Sequence, residues 1–276
     1  MNWMQSMLYG FLSGVAEVLP ISSRAHGILL LKIFGASGNS NLMMLMLHAA
    51  LLAALHVSSR AHLTRIHRAL ALARIPKKKR RRPLDLKSLM DFKLLRTMAL
   101  PIILAYCFYN SLSFLVGSLL AIAAFLFLNG LILYIPQFFP TGNKDSRNMS
   151  RVEGLLIGLG GALSVLPGVS GIGAMVSVSS ICGVDRSYAL DNALMASMVI
   201  SAAMVVSDAV RLVAGGFGGV TFRIVLVYLA SAFASFLGGM LGVRLLKKSV
   251  GERGFSFFAF YCWGLSLFTF FLNLVA

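Results

Sequence analysis

Residues 12–31 read LSGVAEVLPISSRAHGILLL, and this stretch decides the fold that we expect for the whole chain. Most of it is apolar, but its centre carries five polar or ionisable side chains: Glu17, Ser22, Ser23, Arg24 and His26. A charged side chain inside a bilayer is costly, so it normally faces a cavity or a partner and marks a functional site. Pro20 interrupts helical hydrogen bonding, and broken backbone at membrane depth is tolerated only inside protein or beside water. We therefore predict two short helices that enter the membrane and meet at a polar tip.

The composition of the whole chain is that of a membrane protein. Its 276 residues are 58% hydrophobic and 12% charged, whereas a soluble protein carries about 25% charged residues. At about 1.5 Å rise per residue, six further apolar segments can cross a bilayer: residues 42–57, 94–109, 112–135, 190–213, 222–246 and 255–274. The N-terminus has no basic region before its apolar stretch, which argues against a cleaved signal peptide. We predict one all-α polytopic membrane domain, 1–276, with about six transmembrane helices.

The net charge of +16 is concentrated in one loop, at about residues 58–93. The run KKKRRR at 77–82 lies within it, beside a predicted surface helix at about 61–75. A nucleic-acid patch is one interpretation, but the excess of Lys and Arg in cytoplasmic loops of membrane proteins explains the loop better. We therefore expect a cytoplasmic loop that contacts anionic lipid, and no nucleic-acid partner. The basic loops 141–151 and 247–253 fall on the same side when the spans alternate, which predicts both chain ends outside.

A second broken stretch, residues 152–184, repeats the pattern of the first. Its residues 160–170 read GGALSVLPGVS, against SGVAEVLPISS at 13–23. The alternation of spans makes the first stretch enter from outside and the second from inside, which predicts re-entrant hairpins in inverted repeats of about 1–136 and 150–276. Inverted repeats place the sites of many transporters near the midplane, at the ends of half-helices. Helix N-termini attract anions, so we predict one phosphate pocket between the two tips. The alternative is that Pro and Gly only kink two ordinary spans.

Both broken stretches resemble motifs of the undecaprenyl-diphosphate phosphatase family, also called the bacitracin-resistance protein family. The first family motif reads roughly E-G-x-x-E-F-L-P-[VI]-S-S-T-[GA]-H, and residues 13–26 here read SGVAEVLPISSRAH. The second reads roughly P-G-x-S-R-S-G-x-T, and residues 167–175 here read PGVSGIGAM. The length, the spacing of the motifs, the basic loop and the number of spans extend the resemblance over the whole chain. The first motif is specific, and the second is only partly kept.

The resemblance implies a hydrolase in the bacterial inner membrane whose site faces the outside. It would convert undecaprenyl diphosphate to the monophosphate, which recycles the lipid carrier for peptidoglycan and confers resistance to bacitracin. Ser23 would attack phosphorus while His26 moves the proton, or else Glu17 would hold a water or a metal ion, Mg²⁺ or Ca²⁺. Either chemistry fits phosphoryl transfer, which depends mainly on positioning and on neutralising charge. Further residues would bind the substrate: Ser13, Ser22, Arg24, Gly168, Ser170 and Gly171.

Two departures from the family pattern bear on catalysis. Ser13 stands where the family has a glutamate, which removes half of a carboxylate pair for a divalent ion. Gly171 replaces the arginine of the second motif, and losing a guanidinium that faces phosphate weakens a catalytic site. Arg24 stands where the family has threonine, and we predict that it reaches the same phosphate from the opposite repeat. The alternative function is a carrier of the same fold that flips polyprenyl phosphate without cleaving it. A homodimer is one expected assembly.

Other ionisable residues receive structural interpretations from the sequence. His48 and His56 lie on one apolar segment and are expected to pack or to face solvent at its edge. Asp208 and Arg211 are three residues apart, which predicts a local pair on one helix. The three cysteines lie far apart in apolar segments, as buried small hydrophobic residues do.

Overall fold

The computed structural model describes residues 2–35, 40–216, 221–252 and 255–275. In these ranges the chain is helical and forms no strand, apart from one isolated bridge between Lys144 and Val184. The α-helices of the described ranges are α1 (Trp3–Val18), α2 (Ser23–Ile33), α3 (Asn41–Ser58), α4 (Arg60–Ala73), α5 (Leu86–Cys107), α6 (Leu119–Tyr134), α7 (Arg151–Ala162), α8 (Gly171–Ile181), α9 (Arg186–Gly215), α10 (Phe222–Glu252) and α11 (Ser256–Val275). Short 3₁₀ turns occupy Lys77–Lys79, Tyr109–Gly117, Ile135–Phe138 and Leu163–Val165.

Five helical segments of the described chain are long and apolar enough to cross a membrane: Asn41–Ser58, Leu119–Phe138, Arg186–Gly215, Phe222–Ser249 and Ser256–Val275. The protein is therefore an all-α polytopic membrane protein. The sixth predicted span, 94–109, lies mostly in α5. The first half of α5 carries charged side chains, which lower the mean hydropathy of the helix. The predicted span 112–135 begins later than expected, because Ser118 caps α6 by accepting a hydrogen bond from the Ala121 N–H at 3.2 Å.

The first broken stretch forms a hairpin of α1 and α2, which pack against each other. Helix α1 ends at Val18, because Leu19 turns to extended backbone just before Pro20. Ser22 then adopts a φ of +65°, the only positive φ of a non-glycine residue in the described chain. Non-glycine residues in such conformations cluster at functional sites, where the surrounding structure holds the strain.

The second broken stretch forms the corresponding hairpin of α7 and α8. Ser150 and Glu153 make reciprocal side-chain-to-backbone hydrogen bonds that start α7. Gly168 lies in the break with a φ of +128°, and a Cβ there would be 2.8 Å from the Leu126 nitrogen, so only glycine fits. Ser170 caps α8, with its Oγ accepting from the Gly173 N–H at 3.3 Å.

The two halves of the chain interlock. Helix α1 packs along α10, while α7 packs along α5; α3 contacts both α9 and α10, α9 contacts both α3 and α5, and α6 pairs with α11. Glycines permit the closest approaches: a Cβ at Gly10 would be 2.1 Å from the Ser231 carbonyl oxygen, and one at Gly158 would be 2.4 Å from that of Met98. The contacts of one half have counterparts in the other: α1 on α10 corresponds to α7 on α5, and α3 on α10 corresponds to α9 on α5. The inverted repeats themselves stay a prediction.

The three basic loops lie at one end of the bundle. Buried Asp91 of α5 accepts hydrogen bonds from the hydroxyls of Ser146, at 2.5 Å, and Tyr188, at 2.8 Å. The loop at 141–151 is thereby tied to α5 and to the start of α9. Lys247 pairs at 2.8 Å with Asp191, one turn beyond Tyr188. Clustering at one end is the arrangement that alternating spans with cytoplasmic basic loops would give.

Candidate functional site

The two hairpin tips contact each other inside the bundle. The Gly168 N–H donates a hydrogen bond to Ser22 Oγ at 3.1 Å, which joins the tips directly. Asn129 of α6, fully buried, joins them a second time: its Nδ2 donates to the Pro20 carbonyl at 3.0 Å and its Oδ1 accepts from the Ser170 N–H at 2.9 Å. Because a buried amide satisfies a polar group of each break, both tips are held in a fixed relation. Sequence reasoning missed Asn129, although a lone amide in so apolar a helix was a usable signal.

Glu17 and Ser23 form a hydrogen-bonded pair across the first break. The Ser23 hydroxyl donates to Glu17 Oε2. Glu17 lies at the end of α1 and Ser23 is the first residue of α2, so the break folds the two side chains onto each other. A hydroxyl that donates to a carboxylate is the arrangement of a nucleophile with its general base.

Arg24 extends from the first tip to the second hairpin. Its Nη1 donates to the Val165 carbonyl at 2.7 Å, and its guanidinium carbon lies 4.3 Å from the centre of the Tyr109 ring. Its Nη2 is buried and has no hydrogen-bond partner in the described part of the chain. A buried charged donor without a partner is costly, so it favours a site that binds an anion.

Two cavities meet at these residues. The main cavity, of about 290 Å³, has both apolar and polar lining residues, and the polar ones include Ser13, Glu17, Ser23, Arg24, His48 and Arg211. The tip cavity, of about 20 Å³, lies between the hairpins and is lined on the side of the second tip by Ser164, Ser170 and Gly171. Glu17, Ser23 and Arg24 line both cavities. They therefore stand between the main cavity and the second tip.

Arg211 adds a second guanidinium to the main cavity. Its guanidinium carbon lies 4.8 Å from the centre of the same Tyr109 ring, and its Nε donates to Asn110 Oδ1 at 2.7 Å. The predicted local pair of Asp208 with Arg211 is wrong. Asp208 turns into the bundle and contacts His48 instead, at 2.5 Å, while Arg211 turns towards Tyr109. Sequence spacing could not find these partners, because they lie on other helices.

The structure brings together most of the predicted site residues but leaves His26 apart. Ser13, Glu17, Ser22, Ser23, Arg24, Ser170 and Gly171 line one cavity or both, and Gly168 touches Ser22. His26 lines neither cavity: its Nε2 lies 2.7 Å from the Tyr261 hydroxyl of α11, and its ring stacks on that tyrosine. Its Nδ1 lies 2.8 Å from the Ser22 carbonyl. His26 thus contacts α11 through Tyr261 and the first break through Ser22.

A side chain at Gly171, where the family motif has arginine, would require neighbouring side chains to shift. A Cβ at Gly171 would be 2.8 Å from Ile200 Cδ1 and 3.0 Å from Ser164 Cβ. A guanidinium does reach this tip: Arg24, from the other hairpin, donates to the Val165 carbonyl and lines the tip cavity together with Gly171.

The residues around Glu17 do not fit a divalent cation. Ions such as Mg²⁺ and Ca²⁺ prefer several oxygen ligands, with carboxylates among them. Among the described residues, Glu17 is the one carboxylate that lines the main cavity, which Arg24 and Arg211 also line. Within the described ranges no three His, Cys, Asp or Glu side chains are grouped closely enough to hold a metal ion. Two guanidinium groups next to a single carboxylate suit an anion better than a cation.

Known proteins resemble this chain over almost its full length. The family model described as bacitracin resistance protein BacA matches residues 6–268. A protein of Methanobrevibacter smithii named undecaprenyl-diphosphatase is 28% identical, over 98% of this chain and 97% of that protein. The undecaprenyl-diphosphatase of Carboxydothermus hydrogenoformans is 26% identical, over 97% of this chain and 96% of its own. The undecaprenyl-diphosphatase 1 of Shouchella clausii is also 26% identical, over 98% and 96%.

Proposed function

This chain belongs to the bacitracin resistance protein BacA family, and from that premise we propose how it hydrolyses undecaprenyl diphosphate to undecaprenyl phosphate and phosphate. This activity recycles the lipid carrier of cell-wall synthesis and confers resistance to bacitracin. The observation that carries the assignment of residues is the Ser23–Glu17 hydrogen bond in a cavity that also holds two guanidinium groups. A nucleophile, a base and charge neutralisation are what phosphoryl transfer requires.

The diphosphate binds to Arg24 and Arg211. Both guanidinium groups lie on the Tyr109 ring and face the main cavity, so they can neutralise neighbouring phosphates of one headgroup. Arg24 supplies its unpartnered Nη2, and the N-terminus of α2 adds the positive end of the helix dipole. The apolar residues that line the same cavity, which include Leu31, Met44 and Leu47, accommodate the first part of the isoprenoid chain.

Ser23 then attacks the terminal phosphorus. As its Oγ forms the new P–O bond, its proton passes to Glu17, and the bond from phosphorus to the bridging oxygen breaks. Undecaprenyl monophosphate leaves, while the phosphoryl group stays on Ser23. Water attacks this phosphoserine in the second half of the reaction, and Glu17 returns its proton to Ser23 Oγ. Free phosphate is released and the serine is restored.

His26 takes a positioning role in this scheme. Sequence analysis predicted that it moves the proton, but Glu17 is the group that contacts the Ser23 hydroxyl. The contacts of His26 with the Ser22 carbonyl and with Tyr261 instead hold the strained first tip against α11. The scheme also uses no metal ion, because the residues around Glu17 suit an anion.

We also propose that the site faces the outside of the plasma membrane. The main cavity includes Arg211, in the last turns of α9, whereas the basic loops cluster around the first turn of the same helix. If the basic loops are cytoplasmic, the cavity opens towards the opposite side. A homodimer stays a prediction, which a mass measurement in detergent would test.

The alternative, a carrier that moves polyprenyl phosphate without cleaving it, is not favoured. A carrier needs no nucleophile paired with a base, and the relatives are named for hydrolysis. Purified protein given undecaprenyl diphosphate should release phosphate, and Ser23→Ala should not. Absence of phosphate release by the unaltered protein, together with movement of the lipid across liposomes, would favour the carrier instead.

A further inference from the structure

His48 and Asp208 form a buried pair that the scheme above leaves unused. His48 lies on α3 and Asp208 on α9, and Nδ1 of the ring is 2.5 Å from Oδ2 of the carboxylate. Asp208 is only 3% exposed, whereas His48 lines the main cavity. Asp208 is not among the residues that line this cavity. A carboxylate on Nδ1 fixes the tautomer and orientation of an imidazole and stabilises its protonated form.

The pair shares its cavity with the proposed reacting groups. The other ionisable groups that line this cavity are Tyr9, Glu17, Arg24, Tyr109 and Arg211. In the first half of the reaction, Glu17 accepts the proton of Ser23 and is then protonated. When water attacks the phosphoserine, Glu17 holds that proton and must return it to Ser23. The water then needs a different base.

We propose that His48, oriented by Asp208, is the general base of this second half-reaction. The inference rests on the proposed function. The Nε2 atom of His48 takes one proton from the attacking water, and the remaining hydroxide forms a bond to phosphorus. The bond from phosphorus to Ser23 Oγ breaks, and Oγ regains the proton held by Glu17. The imidazolium of His48 later releases its proton to water. Asp208 acts as a positioning residue, because it contacts the ring and not the substrate.

The sharpest test follows the phosphoserine itself. Substrate labelled in its terminal phosphate is mixed with the purified full chain, the reaction is quenched in acid, and the label retained on protein is counted. His48→Gln should lower kcat by roughly 10²- to 10⁴-fold, the usual share of general acid–base catalysis, with little change in KM. Label should accumulate on the protein, because the attack by Ser23 is intact. Asp208→Asn should show the same effect to a smaller extent, and Asp208→Glu should restore part of kcat.

His56→Gln is the matched control, since His56 lies on the same helix but is exposed. It should leave both kcat and the label unchanged. A normal kcat for His48→Gln would overturn the proposed general-base role of His48, while the phosphatase activity itself would still be shown. Loss of turnover without label retained on the protein would also overturn the proposal. That result is expected of a purely structural role, which would slow both half-reactions. If the unaltered protein releases no phosphate, the proposed function itself fails. If His48→Gln does not fold, His48→Gly is assayed with added imidazole. Restored turnover supports the general-base role, and turnover that is not restored contradicts it.

Discussion

The Ser23 hydroxyl donates a hydrogen bond to the Glu17 carboxylate across the break between α1 and α2, so that the proposed nucleophile and its proposed base come from two helices of one hairpin. This contact depends on the break, because in a continuous helix residues six apart do not lie on adjacent turns of one face. The backbone break at Pro20 and Ser22 therefore makes the contact possible.

Glu17→Gln should lower kcat by about 10²- to 10⁴-fold and leave KM nearly unchanged, because the amide can hold Ser23 but cannot take its proton. Phosphate release from undecaprenyl diphosphate measures both constants. Glu153→Gln, which alters the start of α7 away from both cavities, is the control and should retain normal kcat. Equal kcat for Glu17→Gln and the unaltered protein would assign the base to another group.

Arg24→Ala should abolish turnover, and Arg24→Lys should lower kcat/KM by about 10- to 100-fold, because an ammonium group lacks the planar fork of guanidinium. Arg211→Lys should act mainly through KM if it binds the phosphate next to the isoprenoid chain. Arg223→Ala, an exposed arginine at the start of α10, is the control. Unchanged kinetics for Arg24→Ala would disprove its role as the replacement for the family arginine.

Asn129→Ala should lower both stability and activity. It leaves the Ser170 N–H and the Pro20 carbonyl buried without their partner, at a cost of about 1–3 kcal/mol for each group. A thermal unfolding scan in detergent measures the loss, and the phosphatase assay should show a lower kcat because the tips are no longer held together. Asn148→Ala, in the loop before α7, should leave both unchanged. Normal activity at a reduced Tm would limit Asn129 to a structural role.

Removal of divalent ions should change phosphate release by less than about twofold, because two guanidinium groups supply the charge that a metal ion otherwise supplies. The purified protein is treated with EDTA, dialysed, and assayed with and without added Mg²⁺ or Ca²⁺. Activity that disappears with EDTA and returns with one of these ions would contradict the metal-free scheme.

Sequence reasoning reached the hairpins because their signals are local. Charged residues and a proline inside an apolar stretch are costly in lipid, so few arrangements tolerate them. The repeat in the second stretch then indicated that the two breaks belong together. The meeting of Ser170 with Glu17 and Ser23 in one cavity followed from the same argument.

The partners of single side chains could not be predicted in this way. His48 and Asp208 are 160 residues apart, and only the packing of α3 on α9 reveals the pair. His26 lies three residues from Ser23, yet its ring contacts Tyr261 of α11, far away in the chain. The lone amide of Asn129 was visible in the sequence, but the sequence does not show which groups it binds.

The interlocked packing also constrains how this chain could be divided. A cut in the loop at 141–150 would give two fragments, and each hairpin would be separated from the helix along which its first arm lies, α10 for α1 and α5 for α7. The two arginines proposed to bind the diphosphate would be separated as well, with Arg24 on one fragment and Arg211 on the other. Each fragment alone would therefore lack residues that line the main cavity.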